Sequence, residues 1–256
     1  MQTRMANCSI GSFIENTNRA KSAKDVSAIF GNTLKDLGYD RFCYSLITAH
    51  PSLGLDAGHG IAQNYPDDWM SYYAANDYKK KDPVPRYGYT TQRPYTWDTV
   101  VRTGRLKPDE KKVMNEAKEA GLLDGIAIPI CGPNGELAGI GAASSIGGIN
   151  PDIDLLSKIR TLAYHFHLVY TELLREDRIV PKTDLGAIHL TDREKEILLL
   201  AAEGKGDAVI AELIGVTYPT IRFHMNNIFK KLDASERTLA TVKAIRLGPI
   251  LPSLVR

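Results

Sequence analysis

Apolar positions return along this chain in two rhythms, and the change of rhythm divides it. In "SAKDVSAIFGNTLKDLG", residues 22–38, Val26, Ile29, Phe30 and Leu34 recur at helical spacing. Ser22 and Asp25 read as a capping box ahead of them, and Gly38 as a stop. "RFCYSLIT", 41–48, reads as a strand, and a glycine-interrupted extended stretch runs to about Gln63. Residues 66–80 put Trp69, Tyr72, Tyr73 and Asn76 on one face, which predicts a helix. "PDEKKVMNEAKEAG", 108–121, predicts another, ending in glycine, and "GIAIPICGPNGELAGIGAAS" predicts two strands about the turn "PNG". A long helix over 152–174 follows. Its stripe of Leu155, Ile159, Leu162, Phe166, Val169 and Leu173 can face the sheet, a partner chain, or both.

Beyond it, "REDRIVPKTDLGAI", 175–188, is polar, aperiodic, and holds a proline and a glycine, as a linker does. The rest is helical in pattern. Thr191 and Glu194 form a capping box for a helix that buries Ile197, Leu198 and Ala201 and stops at Gly204. A short helix over about 207–214 ends at Gly215. Thr217 caps a third, with Pro219 tolerated in its first turn. The third places Ile221, Met225, Ile228 and Leu232 on one face, and a final helix spans about 235–247. Between Tyr218 and Leu232 stand three basic residues and no acidic one. Two short helices joined by "GVT", the second basic and rich in asparagine, make a helix-turn-helix that offers donors to phosphates and base edges.

Composition narrows the class. The chain has 256 residues, 43% hydrophobic and 24% charged, enough for two domains with real cores. A net charge of +2 marks no partner, so the DNA signal is local. Three scattered cysteines, Cys8, Cys43 and Cys131, suit reduced thiols in a cytoplasmic protein. No apolar run approaches the ~20 residues of a membrane span. Nothing matches HExxH, GxSxG, a Walker loop or a dinucleotide fingerprint, and no His/Cys cluster suggests a metal. An enzyme, for instance a lactone hydrolase, is therefore disfavoured, and no catalytic residue or cofactor is expected.

"LTDREKEILLLAAEGK", then "IAELIGVTYPTIRFHMNNIFKKLDASERTLA", resembles the DNA-binding domain of the LuxR family across about 60 residues (a span read from the motif). Val209 and Gly206 depart from its usual glutamate and Ser/Thr, and Tyr218 and Pro219 are also unusual. "YPDDWMSYYAANDYKKKDPVPR", Trp97 in "YTWD" and Gly125 in "AGLLDGIAIPI" are similar to the autoinducer-binding domain of the acyl-homoserine-lactone receptors. The resemblance covers nearly the whole chain. It implies an α+β molecule: an N-terminal α/β/α sandwich with an antiparallel sheet over 1–175, a linker over 176–187, and an all-α helix-turn-helix domain over 188–256.

It also implies roles. An acyl-homoserine lactone carries a ring carbonyl, an amide N–H and an amide carbonyl on an apolar body, and each group buried unpaired costs roughly 1–3 kcal/mol. The indole of Trp69 would donate to the lactone carbonyl, Asp82 accept from the amide N–H, and Tyr65 donate to the amide carbonyl. Pro83 would hold Asp82 extended. Tyr73 and Trp97 would line the pocket by packing, with Gly125 serving backbone geometry. Gly141 falls where relatives often carry a Ser or Thr facing the ligand. A donor is lost there and space gained, which favours a bulky, branched or aromatic acyl group. Arg222 and Asn226 are expected at base edges, and Thr217, Thr220, Lys230 and Lys231 at phosphates. A homodimer joined through the long and final helices would bind an inverted repeat, with no membrane involved.

Overall fold

The computed structural model describes residues 9–50, 55–132, 135–177, 189–247 and 249–250. The chain divides into two compact units between residues 180 and 181. Most of the predicted linker, Cys8, and the Pro133–Asn134 turn lie outside the described residues.

The first unit is built on five strands: β1 (Arg41–Leu46), β2 (Gly58–Gln63), β3 (Tyr95–Thr96), β4 (Leu123–Cys131) and β5 (Leu137–Ser144). They lie in the order β2-β1-β5-β4-β3, and every pairing is antiparallel. Strand alternation sorts the side chains into two layers. Phe42, Tyr44, Leu46, Ile126, Ile128, Ile130 and Ile140 turn to one face. There they meet α1 (Ile10–Asn18), α2 (Ala23–Asp36) and α7 (Ile153–Asp177) in the main core. Cys43, Ser45, Ala127, Gly139 and Gly141 fall on the other. That face is covered by α3 (Asp67–Ala75), α4 (Pro83–Tyr87), α5 (Trp97–Thr103) and α6 (Pro108–Glu119). A sheet covered on both sides explains why β4 reads as an almost continuous apolar run from Ile126 to Cys131.

The apolar stripe of the long helix packs inward. Ile159, Leu162 and Phe166 are fully buried in the sheet-facing core, and Leu155, Val169 and Leu173 pack against it. It runs on to Asp177, past its predicted end. The helix expected over 66–80 is two pieces. Asn76 ends α3, with its Nδ2 donating to the Tyr72 carbonyl at 2.9 Å, and Asp77 turns left-handed at φ 51°. Asn and Asp tolerate such an ending because their short polar side chains bond locally. A single 3-10 turn, Tyr78–Lys80, follows, and Tyr72 is left on the surface while Trp69 and Tyr73 are buried.

The second unit holds α8 (Asp192–Ala202), α9 (Asp207–Leu213), α10 (Tyr218–Leu232) and α11 (Arg237–Arg246) around its own core of Ile197, Leu198, Ile210, Ile221, Met225 and Ile228. The capping box is present: Glu194 N–H donates to Thr191 Oγ1, and Thr191 N–H to Glu194 Oε2. Among the described residues no helix is long and apolar enough to cross a membrane, and no group of His, Cys, Asp and Glu is placed to hold a metal ion. Cys43 and Cys131 are free thiols.

Candidate ligand cavity and DNA-reading helix

Between the sheet and the α3–α6 layer lies a cavity of about 320 Å³, mostly apolar in lining. That size suits a small ligand. Tyr65, Trp69, Tyr73, Asp82, Trp97 and Gly141 all border it. Each arrives by a different local cause. Trp69 and Tyr73 are the buried positions of α3, one turn apart. Tyr65 precedes that helix, leaving β2. Asp82 is the N-cap of α4: its backbone is extended before Pro83, and its Oδ1 accepts from Val84 N–H at 2.8 Å.

The second carboxylate oxygen of Asp82 accepts from the Tyr73 hydroxyl at 3.1 Å. Tyr73, expected only to pack, therefore fixes the carboxylate. Burial raises the Asp82 pKa from 3.8 to about 6, against the lowering effect of the Val84 N–H and the Tyr73 hydroxyl. The Tyr65 hydroxyl is pushed up by burial first, then by the nearby Cys43 and Asp82. Neither that hydroxyl nor the Trp69 Nε1 makes a hydrogen bond among the described residues, whereas Trp97 Nε1 is buried with no partner there.

Two glycines act differently from expectation. Gly125 does not serve an unusual backbone angle. A Cβ there would fall 2.0 Å from the Trp97 ring, so the missing side chain lets the indole lie on β4. At Gly141 a Cβ would stand 3.0 Å from the Tyr65 hydroxyl, and at Gly139 3.0 Å from Ile47. The space expected above Gly141 is thus taken by the phenol. Sequence patterns also missed a polar corner of the cavity wall. His59 stacks on Tyr73 at 4.6 Å, its Nδ1 lies 3.1 Å from Ser45 Oγ, and its Nε2 lies 3.9 Å from Cys43 Sγ. Burial, then Lys79, lowers the His59 pKa, and burial pushes the Cys43 thiol up to about 12. Only strand pairing, not local sequence, brings these three together.

In the second unit, Arg222, Asn226 and Lys230 are exposed on α10. Thr217 occupies the N-cap position but makes no cap bond; its hydroxyl meets that of Thr220 at 2.8 Å. Lys231, expected at a phosphate, is exposed on α10 and is also engaged within the unit. Its Nζ donates to Glu194 at 2.7 Å and to the His189 carbonyl at 3.0 Å. The cause is the buried Glu194 carboxylate, which needs a cation. Arg222 lies 3.9 Å from Asp207 and remains largely exposed.

Comparison with known proteins matches residues 22–170 to the autoinducer binding domain and residues 189–244 to the bacterial regulatory proteins of the luxR family. The HTH-type quorum sensing-dependent transcriptional regulator RpaR of Rhodopseudomonas palustris is 34% identical over 192 residues, 74% of each chain. The transcriptional activator protein LuxR of Aliivibrio fischeri is 27% identical over 244 residues, 93% of this chain and 92% of that one. Among solved structures, Escherichia coli SdiA superposes with a TM-score of 0.68 at 25% identity, covering 94% of this chain and 97% of its own. The same protein is also known in complex with octanoyl-rac-glycerol. A cavity domain joined to a helix-turn-helix unit, matched in both parts, makes this chain a member of the LuxR family of quorum-sensing transcription regulators, with an autoinducer-binding and a DNA-binding domain.

Proposed function

We propose that the autoinducer is an N-acyl-homoserine lactone, held in the cavity of the first unit, and that the chain binds an inverted-repeat promoter site as a homodimer. One observation carries the ligand reading: a phenol, an indole N–H and a carboxylate border a single apolar cavity. In this reading Trp69 Nε1 donates to the lactone carbonyl, the Tyr65 hydroxyl to the amide carbonyl, and Asp82 accepts from the amide N–H. The pairing fits the one donor and two carbonyl acceptors of an amide-lactone and leaves none of those three groups buried alone. Tyr73 and Val84 aim the carboxylate, and Trp97 packs over Gly125 as a wall. Exposed apolar side chains support the dimer: Leu168 on α7, and Leu239 and Val242 on α11.

Thermal-shift titration of the purified chain with lactones of straight, branched and aromatic acyl groups tests this, with octanoyl-glycerol in the same panel. At least one lactone should raise the melting midpoint, and Trp69→Phe should weaken its binding about tenfold, the loss of one hydrogen bond. Stabilisation by the acyl-glycerol and by no lactone would move the sensor to another small-molecule class. A dimer that forms without α7 or α11 contacts, seen when Leu168→Glu and Val242→Glu leave the sedimentation mass unchanged, would overturn the assembly.

A further inference from the structure

Four apolar residues of α10, Ile221, Met225, Ile228 and Leu232, form one stripe buried in the core of the second unit. On a helix of 3.6 residues per turn the side opposite that stripe belongs to Phe223, Asn226 and Lys230, at i, i+3 and i+7. Phe223 is 63% exposed. On the flanks, Lys231 is engaged with Glu194 and Arg222 approaches Asp207, so the ring stands at the centre of the outward face. Basic and amide side chains surround it and no acidic residue occurs between Tyr218 and Leu232. A solvated helix face gains nothing from a bare phenyl ring, whereas an interface gains an anchor. The charge of this face fits DNA as the occupant.

We propose that Phe223 reads thymine, by packing its ring against the C5-methyl group in the major groove, beside Asn226 on a neighbouring adenine. The methyl is the one apolar feature that a base pair shows there, and asparagine pairs bidentately with adenine N6 and N7. Residues three apart on a helix have side chains about 5–6 Å from each other. That separation is one to two base-pair steps of ~3.4 Å, so both residues address the same short A·T segment. Phe223 adds discrimination without a charge. Lys230, by contrast, holds a phosphate and binds every sequence alike.

The inference rests on α10 as the DNA-reading helix. The full chain, with the lactone panel present, is used to select duplexes from a random library. Each thymine of a recovered duplex is then replaced by 2′-deoxyuridine, which removes the methyl and keeps the pairing. Wild-type binding should fall about fourfold at one or more thymines, the effect of one buried methyl. Phe223→Ala, an exposed substitution that should leave the circular dichroism and melting midpoint unchanged, should bind the thymine and uracil duplexes equally. Asn226→Ala should keep the methyl response and lose discrimination at the adjoining adenine. Indifference of the wild type to every methyl, or an undiminished preference in Phe223→Ala, would overturn the proposal. A chain that recovers no duplex removes α10 as the reading helix and the proposal with it.

Discussion

At the scale of single residues, Asp82 holds a charge that its surroundings resist. Protein encloses the carboxyl on every side but the cavity, and its pKa stands at about 6 rather than 3.8. The folded state therefore binds the proton more tightly than the unfolded chain. Stability of the ligand-free protein should fall as pH rises from about 4 to about 6, by roughly 3 kcal/mol at most for a two-unit shift. Asp82→Asn should flatten that dependence in urea melts and leave the ligand-free protein more stable at neutral pH. The same substitution should weaken lactone binding 10- to 100-fold, as expected when a charge-assisted hydrogen bond is lost. Wild-type affinity, measured calorimetrically, should itself decline below about pH 6, where the acceptor is protonated. A variant that loses stability and binding together would mean that Asp82 acts only as the cap of α4. The spacing of Tyr65, Trp69 and Asp82 was legible because those residues share one local stretch. Ser45 and His59 were not, because the pairing of β1 with β2 brings them together across a bulge. The role of Gly125 was equally hidden: what a glycine makes room for is a tertiary neighbour, here Trp97.

At the scale of elements, the caps carried most of the legible information. Ser22, Thr191 and the glycines at 38, 204 and 215 mark ends that the structure keeps. Short elements with few apolar positions escaped: α1, α4, β3 and α5, of which the last is announced only by the Thr96 hydroxyl accepting from Thr99 N–H. The helix over 66–80 was drawn too long because periodicity weighs side chains and takes no account of a left-handed backbone at Asp77. The departure at Gly206 has an energetic reading. It is the N-cap of α9 with φ −75° and ψ 159°, has no side-chain cap bond, and has open space where a Cβ would stand. Gly206→Ser should supply the missing acceptor and reduce the freedom of the unfolded chain. Together these should stabilise the second unit by about 1 kcal/mol. Urea denaturation followed on α8–α11 would register it as a higher midpoint at unchanged slope; a lower midpoint would mean that Gly206 is kept for a close approach absent from this structure.

At the scale of the whole molecule, the two rhythms of the sequence correspond to two units with separate cores. Within the first unit the layers are unequal. The face toward α1, α2 and α7 is one continuous core with stacked rings, Phe30 on Phe166 at 4.3 Å and Phe166 on Tyr170 at 5.1 Å. The face toward α3–α6 is split into two smaller clusters around the cavity. A layer interrupted by a cavity makes fewer dispersion contacts between protein groups than a continuous core. Local opening should therefore be easiest there. In the ligand-free protein, amide hydrogens of α3–α6 should exchange faster than those of α2 and α7. Lactone at 100 times its dissociation constant should add about 2.7 kcal/mol of protection wherever opening empties the cavity. The slowing should be largest in α3, α4 and α6 and absent from α2 and α7, except where exchange there already requires global unfolding. Equal slowing throughout the unit would mean that the cavity layer opens only together with the sheet, and that the ligand stabilises the fold as a single block.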